Sequence, residues 1–326
     1  MNFLRYLSVV VVCVCLFSTG CSDDKDFPTS CSNYYRMEAF DVGVNTKTRK
    51  VQILYQVRDC DNKGVGGLSV NDFEVVENGF SMDSEADIRI DPGEIPYTVK
   101  TVLLLDITRS VEGLVGQIKS ACSALIQQKL PNQEIAIYAF DKQLQLIQDF
   151  TTSKTQLIQA VNSLPESNLE NSTNLYGSII DLNVSEMWTD VFTVQEISDG
   201  SLIVFTDGRH NANQTQTLSD AKNSIGDKRV FVAALQSNDL VEEPLKELSS
   251  KGGYFLADNI DALETAFLNI QAEIESLSGS IYYLFYTSPI TDPTPFDNEL
   301  ILRVNGNTNR SEDRQIKTTF NSGGFQ

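Results

Sequence analysis

The pattern of apolar and polar residues changes twice along the chain. From about residue 34 to 95, apolar residues alternate with polar ones over short stretches. In KVQILYQVR, for example, Val51, Ile53, Tyr55 and Val57 alternate with polar neighbours. A period of two predicts half-buried β-strands, and the intervening NKGVGG and ENG stretches favour turns. This first segment is therefore predicted to be antiparallel and sandwich-like.

From about residue 99 to 277 the pattern is strand followed by helix, repeated. The apolar runs TVLLLD, EIAIYAF, SLIVFTD and RVFVAAL are separated by helical patterns such as KTQLIQAVNSL. This alternation predicts a mostly parallel sheet with helices on both faces. After Gly279 short strands return in SIYYLFYTS and NELILRVNGN. The predicted fold class is α/β, with a doubly wound, mostly parallel sheet and a second, smaller all-β sandwich-like domain built from the flanking segments.

Residues 1–20 have the layout of a secretory signal. A single basic residue, Arg5, precedes an apolar run, and small residues lead to Cys21. FSTGC resembles the lipobox of bacterial lipoproteins, although Ser18 stands where that family usually has leucine; a plain secretory signal is the alternative. SDDKD resembles the acidic export tag of Bacteroidetes-type lipoproteins. These resemblances imply lipidation of Cys21, an acidic tether at 21–33, and anchoring by lipid to the outer membrane with the protein exposed at the cell surface.

The charge of the exported chain limits its partners. Without the predicted signal, 306 residues remain, enough for two domains, and they carry 24 basic against 44 acidic residues, a net charge of −20. This balance argues against binding to nucleic acid or to anionic lipid by charge alone. It suits a protein that meets divalent cations, although acidity that merely keeps an exported protein soluble explains most of these carboxylates equally well.

Cysteine usage agrees with an oxidising compartment. If Cys21 is lipidated, Cys31, Cys60 and Cys122 remain. Cys122 falls on the apolar face of a predicted helix and is expected to be a buried thiol, so Cys31 and Cys60 are the plausible disulfide pair. His210 is the only histidine and no CxxC pair is present, which argues against a zinc site built from cysteine and histidine.

Oxygen-bearing side chains cluster where two predicted strands end. Asp106 ends the apolar run in LLLDITRSV, and Thr108 and Ser110 follow at alternate positions; Asp207 ends another strand, and Thr173 lies on a loop that leads into a helix. In doubly wound sheets, ligands bind beyond the carboxyl ends of the strands. Two carboxylates and three hydroxyls at one edge suit Mg²⁺.

The DITRS, STNLYGS and FTDG stretches resemble the metal-ion-dependent adhesion site of the von Willebrand factor type A domain, whose pattern is Asp-x-Ser-x-Ser, then Thr, then Asp. The resemblance extends over roughly 180 residues. It implies that Thr108, Ser110 and Thr173 supply hydroxyl ligands to Mg²⁺, or to Mn²⁺ or Ca²⁺, while Asp106 and Asp207 act largely through water. It also implies that an acidic side chain of a partner protein completes the site; a glycan is the alternative partner.

The sequence departs from the family pattern at two positions. Thr108 replaces the usual serine, which keeps the hydroxyl and adds a methyl group. Arg109 stands where many members have glycine, so a cation lies near the site. This cation either weakens the metal by repulsion or helps to capture an acidic ligand. A member of the fold whose hydroxyls only cap a helix and a turn is a further interpretation.

The flanking segments carry a second, less specific resemblance. GLSVNDFEVVENGFS is similar to the segment that precedes type A domains in many exported bacterial proteins, and YYLFYTSP with ELILRV resembles the strands that follow them. The economical interpretation is a type A domain at 98–277 inserted into one β-sandwich that is formed by 34–97 and completed by 278–326. Two separate small modules are the alternative.

The predicted function is a surface-anchored adhesion or protein-interaction module that is not an enzyme. Arg109, Trp188 and His210 are the candidates for contact with a ligand, although Trp188 suits packing under its loop equally well. One alternative is a structural or assembly subunit of a cell-envelope machine without a metal-dependent ligand. The other is a metal-dependent hydrolase using Asp106 and Asp207. Other enzyme classes are disfavoured: a phosphatase with an aspartyl nucleophile needs a second acid two residues after Asp106, where Thr108 stands, and no GxxxxGK[ST] loop is present to bind nucleotide phosphates. A Ser-His-Asp triad would have to use the lone His210, and lone histidines on such loops are more often surface residues.

Overall fold

The structure, a computed structural model, describes residues 31–326 except for residues 92, 94, 209, 213 and 214. The predicted signal at 1–20, the lipidated Cys21 and most of the tether at 21–33 lie outside the described residues. The strands are β1 (Arg36–Asn45), β2 (Lys50–Arg58), β3 (Phe73–Glu77), β4 (Phe80–Ser81), β5 (Arg89–Ile90), β6 (Tyr97–Asp106), β7 (Gln133–Phe140), β8 (Leu144–Thr151), β9 (Val191–Phe192), β10 (Ile197–Thr206), β11 (Arg229–Leu235), β12 (Gly253–Ala257), β13 (Ile281–Thr287), β14 (Asp297–Val304) and β15 (Gln315–Asn321). The helices are α1 (Val115–Gln128), α2 (Lys154–Asn162), α3 (Leu175–Leu182), α4 (Val184–Met187), α5 (Leu218–Ile225), α6 (Glu242–Leu248) and α7 (Ile260–Gly279).

The central sheet has the strand order β12-β11-β10-β6-β7-β8, with the short β9 paired to β10. The five strands from β12 to β7 are parallel, whereas β8 and β9 are antiparallel. Helices α1, α2 and α7 cover one face, and α3 to α6 cover the other. Successive strand residues serve opposite faces: Leu103 packs in the first core and Leu104 in the second, and both are fully buried. The predicted α/β fold is confirmed.

Two local predictions differ from the structure. The apolar pattern favours a helix from Val111, but α1 begins at Val115 because Gly113 has a φ of 87°, a left-handed conformation that a helix does not continue through. The pattern also missed β8. This edge strand is half exposed and its alternation is irregular, and its register with β7 shifts twice.

Cys122 lies in α1 as a buried free thiol, and burial raises its pKa to about 12.

The flanking segments form two further antiparallel sheets, of order β1-β2-β13-β5 and β15-β14-β3-β4. In each sheet a strand from after α7 lies between strands from before β6, since β13 pairs with both β2 and β5 and β14 pairs with β3. Side chains of both sheets share one core, which includes Tyr55, Tyr282 and Leu302. Each flanking sheet thus combines strands from before and after the central domain, as an inserted domain requires. The domain limits at 97/98 and 277/278 stay a prediction.

Two further features of the described chain are a disulfide and the character of its helices. Cys31 and Cys60 form a disulfide with their Cα atoms 5.4 Å apart, within the usual span for such a bond. In the described part of the chain, no helix has the length and apolar content needed to span a membrane.

Candidate metal site at the carboxyl edge of the central sheet

Two hydrogen bonds and a close contact between hydroxyl oxygens link four of the predicted site residues. Thr108 Oγ1 donates to Asp106 Oδ1 at 2.7 Å, and the Thr108 and Ser110 hydroxyl oxygens lie 3.1 Å apart. Ser110 Oγ donates to Asp207 Oδ1 at 2.8 Å. Asp106 is the last residue of β6 and Asp207 directly follows β10, its neighbour in the sheet, so the parallel pairing brings both carboxylates to one edge.

Residues that the sequence patterns did not single out hold this arrangement in place. Thr206 Oγ1 donates to Asp106 Oδ2 at 2.7 Å, so both oxygens of that carboxylate are engaged. The Ser237 hydroxyl, which follows β11, donates to the backbone carbonyl of Asp207. Thr206 stands in the FTDG stretch, directly before Asp207. Ser237 lies 30 residues beyond Asp207, and no local pattern marks it.

Thr173 lies on the loop before α3, and it is buried. Its backbone N–H donates to Asn211 Oδ1 at 2.8 Å, and its carbonyl accepts from Asn211 N at 3.0 Å. The same loop is tied to the first one because Arg109 N donates to the Glu170 carbonyl at 2.8 Å. No hydrogen bond joins Thr173 to Asp106, Thr108, Ser110 or Asp207, all five of which are described. The structure therefore connects four of the predicted residues directly and places the fifth on the adjoining loop.

The carboxylates of Asp106 and Asp207 bring negative charge to the site, and the described protein groups around them compensate little of it. Burial, followed by the charge of Asp207, raises the pKa of Asp106 to about 7. The hydrogen bonds from Thr108 and Thr206 oppose this rise. Burial also raises the pKa of Asp207. Asp106 is 0% exposed, so its carboxylate has no direct access to water to offset the cost of charge.

A divalent cation fits this donor set. Two carboxylates and neighbouring hydroxyls offer hard oxygen ligands, which Mg²⁺ and Ca²⁺ prefer. A cation would also favour the charged form of both acids, whose pKa values burial raises in its absence. The chemistry of the residues present is therefore consistent with a metal at this edge.

The three predicted ligand-contact residues have different positions. Arg109 is exposed on the turn between Thr108 and Ser110. His210 is half-buried, its ring stacks on Tyr176 with centroids 4.5 Å apart, and its Nδ1 accepts from Tyr176 N at 3.4 Å. Both follow site residues closely in the chain and lie on the loops of this edge.

Trp188 is buried away from the metal edge. It is only 4% exposed, and its Nε1 donates to Asp190 Oδ1 at 2.9 Å. Its indole lies directly against Gly200, where a larger side chain would collide with it. Gly200 is near the start of β10, so Trp188 lies away from the edge at which that strand ends. The loop is held by packing on the sheet, which is the other role that the sequence allowed.

Comparison with protein families matches residues 101–269 to the von Willebrand factor type A domain. The chain belongs to this family. The matched range contains most of the sheet and of the helices that cover it, and all five predicted metal-site residues. Domains of this family typically mediate protein interactions, often bind a divalent metal at the adhesion site, and are mostly adhesion or structural modules rather than enzymes.

Three solved structures are similar to the chain at low sequence identity. BatB from Bacteroides thetaiotaomicron is 20% identical over 56% of this chain and 100% of that chain, with a TM-score of 0.45. A von Willebrand factor type A structure from Catenulispora acidiphila is 9% identical over 89% of this chain and 73% of that chain, with a TM-score of 0.48. Proximal thread matrix protein 1 from the mussel byssus, with a zinc-occupied MIDAS motif, is 13% identical over 58% of this chain and 47% of that chain, with a TM-score of 0.46. No curated protein sequence matches the chain significantly.

Proposed function

We propose that this chain is a surface-anchored protein-interaction module whose type A domain binds its partner through a divalent cation. The observation that carries the proposal is the cluster of Asp106, Thr108, Ser110 and Asp207 at the edge of the sheet where the loops converge. Each hydroxyl in it donates to one carboxylate, and the two hydroxyl oxygens lie 3.1 Å apart. The hydroxyls of Thr108 and Ser110 already donate their protons to the two carboxylates. Their oxygens therefore need little reorganisation to face a cation.

In this proposal Thr108, Ser110 and Thr173 supply hydroxyl oxygens to Mg²⁺, and the two aspartates act largely through water. Such a site supplies fewer protein ligands than a six-coordinate cation takes up, so Mg²⁺ keeps some of its water. One of those positions is open to a carboxylate of the partner, for which the cation is the largest local charge. Arg109, exposed on the same turn, adds a second positive group that favours an acidic partner.

Calorimetric titration with Mg²⁺ and with Mn²⁺ tests the metal site. We expect the wild type to bind both ions weakly and Asp207→Ala to lose binding, because one of two negative charges is removed. Without metal, the melting temperature of Asp207→Ala should be unchanged or slightly raised, since its repulsion with Asp106 is relieved. Asp181→Ala is the matched control, because Asp181 is an exposed acid at the far end of α3. Absence of ion binding by the wild type at millimolar concentrations would show that the metal-dependent proposal is wrong.

The partner is tested separately from the metal. Wild type, Asp207→Ala and Asp181→Ala are immobilised and exposed to envelope and host-surface extracts, with Mg²⁺ or with EDTA. The proposal requires a protein that binds the wild type and Asp181→Ala in Mg²⁺ and is lost in EDTA and with Asp207→Ala. Binding that persists in EDTA and with Asp207→Ala would instead support a scaffold role that does not need the ion.

The location of the protein is proposed from the residues before Cys31. A lipidated Cys21 would hold the mature chain on the outer membrane, and residues 21–33 would form an acidic tether. We expect Cys21→Ser to give a soluble or unprocessed protein, whereas Cys122→Ser keeps the anchor. Labelling of intact cells with a membrane-impermeant reagent measures exposure. Failure to label the wild-type protein would contradict the surface location even if Cys21 proves to be lipidated.

A further inference from the structure

A cleft of about 670 Å³ lies at the opposite end of the central sheet from the metal site. Its walls come from the start of β10 and β11, from β1 and β2 of the first flanking sheet, and from the last turns of α7. Ligand sites in proteins fall in this size range, roughly 300–1,000 Å³, and prefer boundaries between structural units. The family-defining residues of the metal edge take no part in it.

Ion pairs within the protein occupy most of the charges that line the cleft. Arg229 pairs with Asp199 at 3.1 Å and Lys63 with Glu273 at 3.8 Å. Asp190 pairs with Lys228 at 2.9 Å, and Lys251 pairs with Asp227. These pairs leave Arg58 as the lining cation with no ion-paired carboxylate in the described part of the chain.

Arg58 is nevertheless held in a fixed orientation. Its Nε and Nη2 donate to Gln56 Oε1 at 2.8 and 2.5 Å, and its Nη1 donates to Asn62 Oδ1 at 3.3 Å. Gln56 is buried, and its Nε2 donates to Ser280 Oγ at 2.8 Å and to the Leu277 carbonyl at 3.3 Å. The Gln56 amide therefore presents its oxygen to the guanidinium. Neutral acceptors position the Arg58 side chain without neutralising it.

Burial of Arg58 disfavours its charge. Burial is the largest influence on its pKa and lowers it; Glu38 and Asp199 raise this pKa, and the nearby Arg229 lowers it. Glu38 and Asp61, the lining acids without an ion pair in the described residues, are both exposed, so water solvates their charges. A partly desolvated guanidinium has more to gain from a counter-ion than exposed carboxylates do.

An apolar wall stands beside the two arginines. Phe40 from β1 stacks on Phe192 from β9, with ring centroids 4.5 Å apart, and Phe255, Leu277 and Ile281 line the same cleft. A guanidinium offers a planar fork of donors that matches a carboxylate or a phosphate. Aromatic and aliphatic side chains bury an apolar body next to such a group.

We infer that this cleft binds a small organic anion, with its carboxylate or phosphate between Arg58 and Arg229 and its apolar body against Phe40 and Phe192. The ligand spans the flanking sheet and the type A domain, because Arg58 belongs to β2 and Arg229 to β11. The cleft selects an anion by contacts at short range. The whole chain carries a formal charge of −19 and therefore repels anions at a distance. This inference does not depend on the metal site.

The test uses benzoate and phenyl phosphate as anionic probes, with benzyl alcohol and benzylamine as neutral and cationic counterparts of the same size. Titrations followed by calorimetry and ligand-detected NMR are run in EDTA, so that the metal edge contributes nothing. We expect saturable binding of at least one anion, and a melting temperature that rises with its concentration. Binding should be at least about tenfold tighter than that of benzyl alcohol or benzylamine.

Variants identify the group responsible. Arg58→Met should weaken anion binding by about tenfold or more while the protein remains folded, because its partners Gln56 and Asn62 are neutral and no buried charge is left alone. Glu38→Gln should tighten binding by removing the acid that acts on Arg58. Arg303→Gln is the matched control, since Arg303 pairs with Glu74 on a different sheet. The inference is overturned if neither anion saturates, if benzylamine binds better than both, or if Arg58→Met binds like the wild type.

Discussion

At the scale of single residues, the feature with the largest consequence is the burial of Asp106. Its carboxylate is fully enclosed, and three donors reach it: the Thr108 hydroxyl, the Thr108 backbone N–H and the Thr206 hydroxyl. These hydrogen bonds favour the charged form but do not outweigh burial together with the charge of Asp207. The metal-free site is therefore expected to take up a proton at a pH at which ordinary carboxyls stay ionised.

This predicts a pH dependence of stability in EDTA. The pKa of Asp106 is about 7 in the folded protein and about 3.9 in an unfolded chain, so between these values the folded state binds a proton that the unfolded state does not. Stability therefore falls as the pH rises through this window, and this contribution is fully present only below the unfolded pKa. Urea unfolding at about pH 5 and about pH 8 measures this effect. Between these two pH values, the free energy of unfolding should decrease more for wild type than for Asp106→Asn.

The comparison with Asp106→Asn is needed because other groups titrate as well. Asp72, Asp220 and Asp292 have lowered pKa values owing to hydrogen bonds from their own turns, so their effects lie at more acidic pH than this window. Equal pH dependence in wild type and Asp106→Asn would show that Asp106 titrates normally. Adding saturating Mg²⁺ should abolish the difference, if the ion binds as proposed.

At the scale of elements, the Cys31–Cys60 bond fixes the start of the described chain to the loop after β2. The two cysteines are separated by 29 residues, and they enclose the whole β1–β2 hairpin. The loop beyond Cys60 contributes Asn62 to the support of Arg58, and its Gly64 lies directly against the backbone of α7 at Ser276. The disulfide thus stabilises one wall of the cleft.

We expect Cys31→Ser/Cys60→Ser to lower the free energy of unfolding by about 3 kcal/mol in the chain-entropy account of cross-links. Chemical denaturation of wild type and variant measures the difference. Dithiothreitol should destabilise the wild type and leave the variant unchanged, because the other described cysteine, Cys122, is a free thiol. Mass spectrometry that finds Cys31 and Cys60 both free in the mature protein would contradict the prediction.

At the scale of the whole molecule, strands distant in sequence depend on each other. A single residue separates the end of α7 from the start of β13, and β13 pairs with β2 along its whole length. β14 pairs with β3 on one side and β15 on the other. Buried Glu77 at the end of β3 accepts hydrogen bonds from Tyr286 at 2.7 Å and Ser288 at 2.8 Å. Removal of the residues after Gly279 would therefore also leave the Glu77 carboxylate without these two donors.

A chain that ends after Gly279 should therefore lose the folded state of residues 36–90 while residues 98–277 stay compact. Limited proteolysis with identification of the fragments by mass spectrometry checks this, with the full chain as control. We expect rapid cleavage within β1 to β3 only in the truncated protein, because β2 and β3 lose their pairing partners and their shared core. Resistance of that segment equal to its resistance in the full chain would support two separate modules.

Much of the central fold could be predicted from the sequence because it depends on local order. Fully buried parallel strands are continuous apolar runs, as in TVLLLD and SLIVFTD, and their alternation with helices limits the topology to few arrangements. The positions of Asp106 and Asp207 at strand ends follow from the same pattern. β8 was missed because an edge strand is covered on one face only and carries a weaker signal.

What the sequence by itself determined is the α/β class, the strand ends that carry oxygen ligands, and the buried thiol of Cys122, because each follows from periodicity over neighbouring residues. Tertiary structure alone decided that β13 lies between β2 and β5, that Ser237 supports Asp207, and that Trp188 is buried against Gly200. It also decided that Arg58 and Arg229, from separate segments, line one cleft. These contacts join residues far apart in the chain, and their energy depends on which surfaces the folded sheets bring together, which no local pattern of residues encodes.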